Sequence, residues 1–70
     1  MELSERHVRP NGHGGWDVTD ARGDQINSHH TTDAQARLWA RVIVRDAGGG
    51  VVKIHDGTGN VADEERVTPA

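Results

Sequence analysis

Three observations predict an α+β domain, a single mostly antiparallel sheet in the order β-β-β-α-β-β with one amphipathic helix packed on one face. One segment, Thr32–Ala47, has helical period and carries its own start and stop signals. Short runs of alternating apolar and polar residues flank it on both sides. Clusters of Gly, Asn and Asp separate those runs, at lengths suited to hairpins.

Before the helix, Arg6-His7-Val8-Arg9-Pro10 reads as a strand with Val8 inward and His7 and Arg9 on the other side. Pro10 ends it or marks an edge. Asn11–Gly15 is a turn, and Trp16-Asp17-Val18-Thr19 alternates, with Trp16 and Val18 inward. Asp20–Asp24 is a second turn. Gln25–Ser28 is a weak third strand with Ile26 facing in, and His29-His30-Thr31 leads on to the helix.

The helix is specified at both ends. Thr32-Asp33-Ala34-Gln35 has the form of a capping box, with Asp33 favoured by the positive end of the helix dipole. Arg45 falls in the last turn, and Gly48-Gly49-Gly50 supplies a left-handed terminator. At about 100° per residue, Ala36, Trp39, Ala40, Ile43 and Ala47 share one stripe, the expected core face. Arg37, Arg41 and Arg45 make a basic stripe, and Leu38 and Val42 an apolar one off the core.

After the glycines, Val51–His55 is the strongest strand, with Val52 and Ile54 inward and Val51, Lys53 and His55 outward. Asp56–Asn60 forms a hairpin loop, Val61 opens a last short strand, and Asp63-Glu64-Glu65-Arg66 is solvated. The domain is expected over 6–66, with 1–5 and 67–70 as flexible tails. The sheet face away from the helix is expected to be open and polar, carrying His7, Arg9, Asp17, Thr19, Asn27, Lys53 and His55.

Seventy residues allow one domain with a small core, and there is no Phe, Tyr or Cys to add aromatic bulk or disulfides. A marginal monomer is expected, which association through Leu38, Val42 and Val44 would relieve. The absence of cysteine fits a reducing cytoplasm. No apolar run approaches the roughly 20 residues of a membrane span, so a soluble cytoplasmic protein is expected. The formal net charge of −3 is uneven. The helix and the strand after it are basic and both flanks acidic, which leaves room for a local basic face.

The motifs that carry chemistry elsewhere do not hold here. Five histidines invite a metal, yet adjacent His29 and His30 would point to opposite faces of a strand, and spacing sets no third ligand for His7 and His55. No metal or cofactor is expected. His13-Gly14-Gly15 is a turn, since no Gly-x-Ser-x-Gly accompanies it. Asp56-x-Thr58-x-Asn60 begins like a calcium loop, but Val67 stands where the bidentate Glu belongs. Gly48–Gly50 follows a helix rather than preceding one, so it is no phosphate loop. Without a nucleophile pattern or an evident small-molecule substrate, no enzyme is expected.

Two surfaces of the helix remain. Leu38, Val42 and the neighbouring Trp39 suggest a contact for a protein partner or a second copy of the chain. Arg37, Arg41 and Arg45, with Lys53, form the alternative, a set of phosphate contacts for nucleic acid. A small interaction module is the leading expectation and nucleic-acid binding the runner-up.

Several of these segments together resemble a small prokaryotic family known as domain of unknown function 2188. The matching residues are His7-Val8-Arg9-Pro10, Gly14-Gly15-Trp16-Asp17-Val18, Ser28, Thr32 with Ala36, Ala40 and Ile43, Gly48, Val52-Lys53-Ile54-His55, and Gly57-Thr58-Gly59. The resemblance spans about residues 6–66 and implies the same fold, in accessory proteins of bacteria and phages, with no assigned activity. Members usually carry Glu and Lys where this helix has Leu38, Trp39 and Val42, so the extra apolar surface is particular to this chain.

Overall fold

A computed structural model describes residues 4–21 and 26–69. Strands β1 (Ser4–Pro10), β2 (Trp16–Thr19) and β3 (Ile26–His30) precede helix α1 (Asp33–Asp46), and β4 (Gly50–His55) and β5 (Val61–Val67) follow it. The five strands form one sheet in the order β3-β2-β1-β4-β5. The expected element order is present, but the sheet is mixed. β1 pairs with β2, β2 with β3 and β4 with β5 antiparallel, whereas β1 and β4 are parallel. Parallel neighbours need a long crossover, and here α1 supplies it, carrying the chain back across the sheet so that β4 lands beside β1.

Strand ends differ from the sequence reading in three places. Ser4 and Glu5 belong to β1 and Val67 to β5, so the sheet reaches into both stretches expected as tails. β5 is seven residues long and includes Asp63–Arg66, which pair in register with β4. β3 takes in His29 and His30, which pair with Asp17 and Trp16. Strand pairing imposed from the neighbour overrides weak local propensity in such cases. Of the turn expected over Asp20–Asp24, Arg22–Asp24 lie outside the described residues together with Gln25, as do the side chains of Ile26 and Asn27. Both sheet edges, β3 and β5, are short or charged, a common defence against edge-to-edge pairing.

Thr32 caps α1, its Oγ1 accepting from the Gln35 backbone N–H at 3.2 Å. The return arm of the capping box is replaced: Gln35 Oε1 accepts from the Thr31 hydroxyl at 3.3 Å. At the other end the Gly48 N–H donates to Arg45 O and the Gly49 N–H to Val44 O, with φ of +105° and +92°. This is a Schellman motif, and the left-handed backbone explains the glycines. Gly50 is required for a different reason. A Cβ there would run into the Ser4 carbonyl, because β1 and β4 meet at this residue.

The core lies between α1 and one sheet face. Val8, Val18, Val52 and Ile54 from the sheet meet Ala36, Ala40 and Val44 from the helix, flanked by Trp16, Ile43 and Val67. Two residues of the expected helix stripe are misplaced: Trp39 is 47 % exposed and Ala47 is exposed, whereas Val44, expected at an association surface, is fully buried. The contact follows the i, i+4 row through two alanines, which let the helix axis come close to the sheet. A Trp on that row would hold it off, and the row ends on Val44.

Candidate functional site

The outer helix divides into two flanks. On one, Arg37 lies 3.4 Å from Asp63, 3.9 Å from Glu65 and 3.7 Å from Asp33, and Arg41 lies 3.5 Å from Glu65. Arg45 reaches its own neighbour Asp46 at 3.8 Å. Lys53 is not with them. It stands on the far face of the sheet, 3.5 Å from Glu5. The four cations expected as one nucleic-acid surface are thus divided between two faces, and each faces a carboxylate. The acidic run on β5, expected as solvated, supplies most of that compensation, because β5 is the edge strand over which this flank of the helix projects.

The other flank carries Leu38, 59 % exposed, and Trp39, with half-buried Val42 beside them. About 100° per residue puts these three next to one another, turned away from the β5 side where the arginines are held. The structure therefore brings together the apolar residues read from the sequence, but Trp39 joins this surface rather than the core.

The sheet face away from the helix is the expected polar one, yet it is not simply open. His7, Thr19 and His55 are buried on it, at 8 %, 4 % and 6 % exposure. His7 and Lys53 are in register on the parallel pair, which brings His55 close to His7 on the same face. His7 Nδ1 and His55 Nε2 lie 2.6 Å apart. Outward from that contact, His7 Nε2 is 2.8 Å from Glu5 Oε2, and His55 Nδ1 is 3.0 Å from the Gly59 carbonyl oxygen. Arg9 Nη2 approaches His7 Nδ1 at 3.5 Å. The hydrogen bond from His7, reinforced by the charge of Lys53, holds the Glu5 carboxyl below the usual carboxylate range against the opposing effect of burial.

Sequence reasoning placed His7 and His55 on one face but not in contact, and it missed Glu5 and Gly59. Glu5 sits two residues before His7, the spacing that puts both on one face of a strand. That signal was present, but the residue fell in the stretch expected as a tail.

The loop beside His55 is held by Asp56, whose Oδ1 accepts from the Thr58 N–H at 2.9 Å, the Thr58 hydroxyl at 2.5 Å and the Asn60 N–H at 3.2 Å. The Thr58 bonds, chiefly the hydroxyl, hold the Asp56 carboxyl below its ordinary range. This is an Asx-type turn built from within, so its acceptor oxygen is already in use. On the other side of the sheet end, Asp17 Oδ1 binds His29 Nδ1 at 2.5 Å and the Asn11 amide at 3.3 Å. A recess of about 380 Å³ there is lined by Asn11, His13, Gly15, His29, His30 and Gln35. Among the described residues no three His, Asp or Glu side chains converge as a metal-ligand set. No described helix is long and apolar enough to cross a membrane.

Residues 6–67 match the model of a family described as "Uncharacterized protein conserved in bacteria (DUF2188)". The chain belongs to the DUF2188 family. No curated protein and no solved structure matched it. The match runs from within β1 to the end of β5, so the histidine contact, the acidic strand and the helix surface all lie inside the matched region.

Proposed function

We propose that this DUF2188 domain is a small non-catalytic interaction module of the bacterial or phage cytoplasm. It would bind a protein partner, or a second copy of itself, through Leu38, Trp39 and Val42. One observation carries the reading: Leu38 and Trp39 are adjacent, large and apolar, and stand 59 % and 47 % exposed on a helix whose buried row is already complete. Large apolar side chains grouped on a surface favour burial against a partner, and Trp is enriched among the residues that dominate such contacts.

The competing reading, nucleic-acid binding through Arg37, Arg41, Arg45 and Lys53, is less well supported. Phosphates would have to displace carboxylates already facing these cations.

Sedimentation of the wild type beside a Leu38→Glu, Val42→Glu double variant tests self-association, and a concentration-independent monomer in both sinks the dimer. Affinity capture from the native host with the wild type and with Trp39→Glu tests the heterologous version. Recovery of the same proteins by both removes this face. Anisotropy with labelled duplex and single-stranded DNA over a salt series tests the alternative. Binding that survives Arg37, Arg41 and Arg45→Ala excludes the stripe.

A further inference from the structure

The hydrogen-bond geometry around His7 and His55 sets a proton count. The ring planes lie within 24° of each other and the centroids 4.8 Å apart. The facing nitrogens take up 2.6 Å of that separation, and each nitrogen is one ring radius from its centroid. The rings therefore meet edge to edge in nearly one plane, with His7 Nδ1 and His55 Nε2 aimed at each other. This is the geometry of an N–H···N hydrogen bond rather than of a face-to-face stack.

The partners on the outer sides decide where the other hydrogens are. A carbonyl oxygen only accepts, so His55 Nδ1 carries a hydrogen toward Gly59. Glu5 is ionised and only accepts, so His7 Nε2 carries a hydrogen toward it. A neutral imidazole has a single N–H. If both rings were neutral with those hydrogens outward, the two inner nitrogens would be bare, lone pair against lone pair. Arg9 Nη2 stands 3.5 Å from His7 Nδ1, too far to take the place of the 2.6 Å contact with His55.

We propose that His7 and His55 form a proton-binding site that holds one proton between the rings, a buried cation latching β1 to β4 and to the β4–β5 loop. Glu5 is its counter-ion. A transition metal in the same place would need about 2.0–2.1 Å to each nitrogen and further ligands, which at tetrahedral angles spreads the nitrogens well beyond their separation here. The charged groups facing the pair are Glu5 and Arg9 on β1 and Lys53 on β4. Behind them stand Asp17 on β2, in register with Arg9, Glu64 on β5, in register with Lys53, and Asp56 in the loop. Loss of the shared proton leaves the inner nitrogens repelling each other or breaks one outer bond.

Long-range proton–nitrogen correlation spectra of the wild-type imidazoles at neutral pH test this directly. The expected result is hydrogen on His7 Nε2 and His55 Nδ1, with one strongly deshielded proton shared by the inner nitrogens. Two neutral rings, one of them bare on its outer nitrogen, would overturn the proposal.

Discussion

Arg37 on the helix and Asp63 on the edge strand lie 3.4 Å apart, joining the outer face of α1 to β5 across 26 residues of chain. With Glu65 taking Arg37 and Arg41 as well, the acidic strand and the basic helix flank compensate each other. These pairs are partly exposed, so they contribute little individually. Arg41→Ala is expected to cost less than about 1 kcal/mol. Glu65→Lys should cost more than Arg41→Ala, and the excess should shrink in high salt, since it brings a third cation to two that are already close. Urea unfolding at low and high ionic strength measures both, and a salt-independent penalty would argue against the pairing.

The exchange of roles between Trp39 and Val44 gives a second test. Val44→Ala should destabilise by about 2 kcal/mol, since it opens space in a fully buried row. Val42→Ala, at a half-buried position on the outer flank, should cost less than about 1 kcal/mol. Chemical denaturation at one pH compares them. Equal losses would mean that the helix is rotated from the orientation described.

Two glycines close in sequence should respond oppositely to alanine. Gly50→Ala is expected to cost about 2–3 kcal/mol or to prevent folding, because the added carbon meets the Ser4 backbone rather than a side chain that can turn aside. Gly57→Ala meets nothing within 4 Å and is not in a left-handed conformation, so it should stay within about 0.5 kcal/mol. Thermal unfolding of the two variants settles the matter, and a silent Gly50→Ala would contradict the β1–β4 register.

Glu5 sets an acid-side dependence whose sign follows from its depressed value. A carboxyl held low in the folded state binds fewer protons there than in the unfolded chain. Its contribution is therefore present above the unfolded value and lost as pH falls through the folded one. Glu5→Gln should remove that part of the acid dependence and leave the histidine pair without its counter-ion. The expected readout is a wild-type stability that falls more steeply than the variant's below about pH 4.5. Parallel curves there would remove Glu5 from the network.

Most of the architecture was legible from local signals. Thr32 and the glycines after Ala47 mark a helix whatever surrounds it, because caps satisfy backbone groups within a few residues. The alternation of Trp16–Thr19 and Val51–His55 marks faces in the same local way. What the tertiary structure decided is which equivalent local choice prevails. Trp39 and Val44 are both apolar and both near the core stripe, and only the approach of the sheet to two alanines buries Val44 and leaves Trp39 outside. The four charged side chains at 37, 41, 63 and 65 look solvated one by one, until strand order places β5 under the helix flank. His7 and His55, 48 residues apart, meet because the helix crossover makes β1 and β4 parallel neighbours. No local pattern encodes that pairing, since it depends on where the chain returns to the sheet.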